Sequence, residues 1–236
     1  MSDSFYRRYL PHYHPPDAIY FVTFRLAGSL PRQLIERLQQ EYEQEERLLM
    51  QRFQGQSLDE ERYRLHKKTF ARYDAILDKA ANGPRWLADP RLANIVAREI
   101  HALHPTHYTL LAYCIMSNHV HLLIDLQGIS EPPRPASGQH CTPLSHALRL
   151  LKGRTARFCN EVLERSGPFW AQESYDHVVR DRKELKRIVA YIINNPVQAG
   201  LVEDADNWAF TYCAPDIVEQ ASACQERAKA KPGTAG

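Results

Sequence analysis

Cysteine is sparse and unpatterned in this chain. The five residues, Cys114, Cys141, Cys159, Cys213 and Cys224, are odd in number and never form a CxxC pair. That argues against both a disulfide framework and a thiolate zinc site. Long apolar runs are also missing: no stretch approaches the roughly 18 residues of a membrane span, and the N-terminal MSDSFYRRYLPHYHPPD has no hydrophobic signal region. The expectation is a soluble, cytoplasmic protein with no membrane partner. A large charge imbalance is absent too, since the formal net charge is +2, so bulk charge does not announce a polyanion partner.

What is present has a pattern. Residues 36–61 hold eight acidic and three basic side chains, whereas residues 149–187 hold ten basic and six acidic. A polyanion should therefore prefer the second region. The 236 residues, 44% of them hydrophobic, suffice for one core, or a core with an appendage. Residues 1–17 read as an irregular arm. AIYFVTFRL (18–26) reads as a strand, closed by Gly28 and Pro31. Two charged helical segments fill 30–83, the second opened by a capping box from Ser57 to Glu60 and ended by Gly83-Pro84. ADPRLANIVAREIHALH is an amphipathic helix with Asp89 as cap and Pro90 at its first position. YTLLAYCIM and HVHLLID are strands joined by a tight turn at Ser117-Asn118. After a Pro-rich loop at 131–143 come a basic helix, the strand FWAQESYDHVVR, and the helix DRKELKRIVAYIINN, stopped by Pro196.

Without the 30–83 excursion the order is β-α-β-β-α-β plus one helix. This is an α+β, ferredoxin-like arrangement: an antiparallel sheet with an added C-terminal helix and a helical insertion after the first strand. We expect one domain over residues 1–210 and a partly disordered tail over 211–236.

The chemistry-bearing residues lie on that frame. In a strand His119 and His121 project to one face and Val120 and Leu122 to the other. Two imidazoles side by side suit a shared divalent metal, and equally suit ordinary semi-buried histidines bonded to neighbours. Tyr191 and Asn195 lie one turn apart on the last helix. An Asn oxygen suits Mg²⁺ or Mn²⁺, while Tyr191 also reads as a core aromatic and Asn195 as a helix cap before Pro196.

The motifs YRRYL, YFVTFRL, MSNHVHLLI, ESYDHVVRD and YIINNPVQAGLV follow one another between residues 5 and 203. Together they resemble the REP-associated tyrosine transposases, a branch of the single-tyrosine HUH (His-hydrophobe-His) transposases. The resemblance implies a metal-dependent endonuclease and strand transferase for single-stranded DNA at short palindromic hairpins. It implies His119 and His121 as metal ligands, Asn195 as the third, Tyr191 as nucleophile, and a 5′-phosphotyrosine intermediate. Mg²⁺ or Mn²⁺ would be the cofactor, and a monomer or homodimer the active form. The 30–83 insertion and the Pro-rich loop depart from the family pattern.

A Tyr hydroxyl, with a pKa of about 10, is a weak nucleophile at neutral pH. His177 is a candidate proton acceptor, though it reads first as a strand residue. Candidate DNA contacts are Arg149, Lys152, Arg154 and Arg157 on the basic helix, Lys183, Lys186 and Arg187 before Tyr191, and Tyr6, Arg7 and Arg8 in the arm. The acidic 36–61 segment should avoid DNA and pack on the fold or a partner. The competing function is a domesticated hairpin-binding protein without efficient turnover.

Overall fold

The computed structural model describes residues 5–7, 11–13, 15, 17–79, 83–130 and 141–217. The arm expected to be irregular contains two short strands instead, β1 (Phe5–Arg7) and β2 (Pro11–Tyr13), paired antiparallel. Tyr and Phe favour strand, and Pro11 opens its strand, where a missing N–H is tolerated. Then follow β3 (Ile19–Leu26), α1 (Arg32–Arg52), α2 (Gly55–Lys79), α3 (Pro90–Leu103), β4 (Thr109–Ile115), β5 (His119–Asp125), α4 (Pro143–Val162), β6 (Trp170–Val178), α5 (Arg182–Gln198) and β7 (Thr211–Cys213).

Five strands form one sheet in the order β6-β3-β5-β4-β7, with every pairing antiparallel. Without β7, and with α1 and α2 set aside, this is the ferredoxin-like order expected. β7 lies in the segment expected to be tail. Tyr212 stacks on Tyr113 with centroids 5.6 Å apart, and Ala214 N–H donates to Leu111 O at 2.8 Å. Residues 218–236 and 131–140 lie outside the described set.

Strand alternation divides the interior in two. Val22, Phe24, Val120, Leu122 and Ile124 pack against Leu92, Val96 and Ile100 of α3 and Leu144 and Leu151 of α4. On the opposite face Phe21, Ala112, Cys114 and Leu123 pack against Leu185, Val189 and Ile192 of α5. The odd-numbered residues of β5 belong to this second face, so His119 and His121 point toward α5 and away from the main core.

Two local expectations change. α2 begins at Gly55, and Ser57 Oγ donates to Gln54 O, so the Ser57 capping box is not formed. Pro196 does not stop α5, which runs on to Gln198. The helix is then so near its end that one missing N–H costs little, and Ala199 N–H and Leu201 N–H close the turn on Asn195 O and Pro196 O. The acidic run of α1 packs on the fold: Glu41, Glu45 and Glu46 pair with Arg72, Lys68 and Arg62 of α2 at 2.8, 2.9 and 3.3 Å. Asp89 caps α3 as expected, accepting from Arg91 N–H.

The insertion leaves and re-enters the sheet through a narrow neck. Gly28 and Gly83 both have positive φ (79° and 108°), and a Cβ on Gly83 would meet Gly28 O at 2.7 Å. Only glycine fits so close an approach. Among the described residues, no helix is long and apolar enough to cross a membrane.

Candidate functional site

β5 places His119 opposite Arg25 and His121 opposite Thr23 of β3, and both imidazoles are fully buried. Each ring has its Nδ1 occupied. Asn118 Nδ2 donates to Leu77 O at 3.0 Å, which turns its Oδ1 toward His119 Nδ1 at 2.6 Å. That oxygen can only accept, so His119 carries its proton on Nδ1 and presents the Nε2 lone pair. His121 Nδ1 lies 2.8 Å from Thr23 Oγ1. The two Nε2 atoms face each other at 3.0 Å. Burial pushes the His119 imidazole down to about 3 and lowers His121 as well, with His119 beside it adding to the effect. Both rings are therefore neutral, the form in which imidazole binds metals.

The helical insertion supplies what faces them. Asp74 Oδ1 is 3.5 Å from His121 Nε2, and Asp78 Oδ1 is 3.8 Å from His119 Nε2. Ligand atoms of Asp74, His119 and His121 all lie within 4.8 Å of one another. Burial, with Asp78 nearby, lifts the Asp74 carboxyl to about 8, and burial lifts Asp78 to about 6. Asp74 Oδ1, Asp78 Oδ1 and Asn195 Oδ1 are buried with no hydrogen-bond donor. Orphaned buried oxygens are costly, and a divalent cation held by the two neutral imidazoles would satisfy that of Asp74. The residues present therefore fit such an ion. Asp74, Asp78 and Asn118 were missed in the sequence. The available signals were the i, i+4 spacing of the two aspartates and the position of Asn118 directly before the histidine pair.

α5 brings the tyrosine to the same place. The Tyr191 ring lies 5.4 Å from that of His121, and Asn195 Nδ2 donates to Tyr191 Oη at 3.1 Å. Asn195 is fully buried. Tyr191, Asp74 and Asp78 line a cleft of about 340 Å³ between α2 and α5, together with Lys67, His177, Glu184 and Arg187. His119, His121, Tyr191 and Asn195, expected as a group, are thus gathered on one face of the sheet.

His177, the candidate proton acceptor, is engaged elsewhere. Its Nε2 lies 3.2 Å from Glu184 Oε1 and 3.4 Å from Tyr63 Oη. Glu184 is buried and takes further donors from Tyr63 Oη, Lys67 Nζ (2.9 Å) and Arg180 N–H (3.0 Å).

The expected DNA contacts fall in separate places. Arg187 lines the cleft, while Lys183 is exposed and Lys186 half-buried on the same helix. Arg149, Lys152, Arg154 and Arg157 lie on α4, which packs on the sheet face opposite Tyr191. Lys152 bonds Ala171 O, Gln172 O and Ser174 Oγ, and Arg154 and Arg157 approach Glu99 and Glu161 at 3.8 and 3.2 Å. Tyr6 and Arg7 lie in β1, with side chains outside the described set, as is Arg8 entirely.

No protein-family model matches the chain. A Haemophilus influenzae protein provisionally named REP-associated tyrosine transposase is 25% identical over 118 residues, covering 47% of this chain and 63% of that protein, under two thirds of its length. A solved structure described as a REP-associated tyrosine transposase bound to a REP hairpin aligns over 89% of this chain and 82% of its own, at 16% identity and a TM-score of 0.48. The resemblance carried by the sequence motifs is met again in the name of the Haemophilus influenzae protein.

Proposed function

We propose that this protein is a metal-dependent tyrosine transposase that nicks and rejoins single-stranded DNA at or near short palindromic hairpins. One observation carries the reading: the Tyr191 ring lies 5.4 Å from that of His121 in a buried His-His-Asp cluster, and Tyr191 and Asp74 line one cleft of about 340 Å³. The sequence motifs and the name of the similar Haemophilus influenzae protein support the substrate class.

His119, His121 and Asp74 would hold Mg²⁺ or Mn²⁺, with Asn195 Oδ1 and Asp78 as further oxygen donors. When bound, the cation supplies charge neutralisation on the scissile phosphate. Tyr191 is the nucleophile. Its oxygen bonds phosphorus as the P–O3′ bond breaks; the phenol gives up its proton and the 3′-oxygen takes one up. The result is a 5′-phosphotyrosine and a free 3′-OH. A second 3′-OH can reverse the step, which joins strands without an external energy source. Asn195 Nδ2–H, pointing at Tyr191 Oη, supports negative charge on that oxygen as it attacks. The α2 and α5 walls keep the reacting groups in register.

The experiment is incubation with hairpin-bearing single-stranded DNA and Mg²⁺ or Mn²⁺, read on denaturing gels. Wild type should give a covalent protein–DNA adduct, and Tyr191→Phe should give none while still binding. His119→Ala with His121→Ala should abolish cleavage and spare most affinity, because phosphate contacts dominate binding. Binding without an adduct under either metal would leave the hairpin-binding alternative.

A further inference from the structure

The cleft has a polarity that the nucleophile and metal cluster do not use. Asp74, Asp78 and Tyr191 line it beside the histidine pair, and its other lining charges are Lys67, Glu184 and Arg187. Lys67 comes from α2, seven residues before Asp74 and hence on the same stripe of the helix. Arg187 comes from α5, one turn before Tyr191. The two walls each carry a cation on the face that bears Asp74 or Tyr191.

Glu184 explains how Lys67 is held. Its carboxylate already receives Tyr63 Oη–H and Arg180 N–H, with His177 Nε2 3.2 Å away. Lys67 is therefore not needed to satisfy a bare carboxylate. Its ammonium reaches Glu184 Oε1 at 2.9 Å while the side chain keeps 39% of its exposure. Arg180 stacks over the Tyr63 ring at 3.4 Å, adding a third cation to the group. Of the lining charges here, the two cations Lys67 and Arg187 face the single carboxylate of Glu184, an excess of one positive charge.

We infer that Lys67 and Arg187 form a seat for a DNA backbone phosphate neighbouring the one that is cleaved. The inference rests on the proposed function, since it presumes a DNA strand in the cleft. Glu184 acts as a positioning residue that aims Lys67, and the helical insertion thereby contributes to DNA binding as well as to the metal cluster. The neighbouring Lys68 points away and pairs with Glu45 of α1, which makes it a matched control.

The test is the salt dependence of affinity for a labelled single-stranded oligonucleotide, measured in the Tyr191→Phe background with Mg²⁺ present. One phosphate contact on a single strand contributes about 0.7 to the slope of log K against log salt. Lys67→Gln should lower the slope by about that amount, Lys67→Arg should restore it, and Lys68→Gln should leave it unchanged. In a scan of oligonucleotides carrying one neutral methylphosphonate each, one position should make Lys67→Gln silent. If Lys67→Gln does not fold, as judged by circular dichroism, the exposed Arg187→Gln carries the same expectations. An unchanged slope in a folded variant, or an equal loss from Lys68→Gln, overturns the seat while leaving the enzyme reading intact. A parent protein with no salt-dependent affinity for single strands overturns both.

Discussion

His119 has one nitrogen committed before any cation arrives. Asn118 can only accept at that position, so the ring proton stays on Nδ1 and the lone pair on Nε2 faces inward. His121 is less constrained, because the Thr23 hydroxyl can either donate or accept. A metal at Nε2 requires the proton on Nδ1, and Thr23 then has to accept it. Thr23→Val keeps the shape and removes the acceptor. It should weaken Mn²⁺ affinity about 10- to 100-fold by calorimetry, at a stability cost of about 1 kcal/mol. Unchanged affinity would show that His121 is oriented by packing alone. The histidine pair was legible because strand alternation needs only local sequence. Asp74 was not legible, because nothing local states that a helix 45 residues upstream will lie across β5. An aspartate in a charged helix ordinarily reads as solvent-facing.

At the level of elements, one carboxylate, Glu184 of α5, takes bonds from Tyr63 and Lys67 of α2. Burial alone would raise Glu184, but hydrogen bonds from Tyr63, Arg180 N–H and Lys67, with His177 close by, hold it down at about 2. A carboxyl depressed in the folded state stabilises the protein above its unfolded pKa, near 4.5, and that contribution is lost as pH falls toward 2. Wild type should therefore lose on the order of 2–3 kcal/mol across this window from Glu184 alone. Glu184→Gln should be less stable than wild type at pH 7, and its stability should fall less steeply between pH 4.5 and 2. Parallel pH profiles of melting temperature for the two proteins would sink the assignment. Most elements were readable from period and punctuation: β4 and β5 are bounded by the residues that favour a turn, and α3 by its Asp89-Pro90 start. Pro196 misled because its penalty depends on position. Near a helix end there is almost no ladder left to break.

For the whole molecule the sheet is a partition. The cleft with Tyr191 lies on one face, and Arg149, Arg154 and Arg157 lie on α4 across the other. In the sequence these cations read as one basic region with Lys183, Lys186 and Arg187, since sequence proximity conceals which face of a sheet a helix will take. A short single strand filling the cleft has no path to α4 except around a sheet edge. A longer DNA with a hairpin can reach around it. Arg149→Ala with Arg157→Ala should therefore leave affinity for a short cleft-filling oligonucleotide unchanged and weaken binding of a long hairpin substrate. The salt slope for the hairpin should drop by up to about 0.9 per lost duplex phosphate contact. Single-turnover cleavage at saturating DNA should match wild type, because neither residue approaches Tyr191. Equal loss on both substrates would place α4 on the path of the cleaved strand itself, and no loss on either would reduce its charges to a solvated helix face.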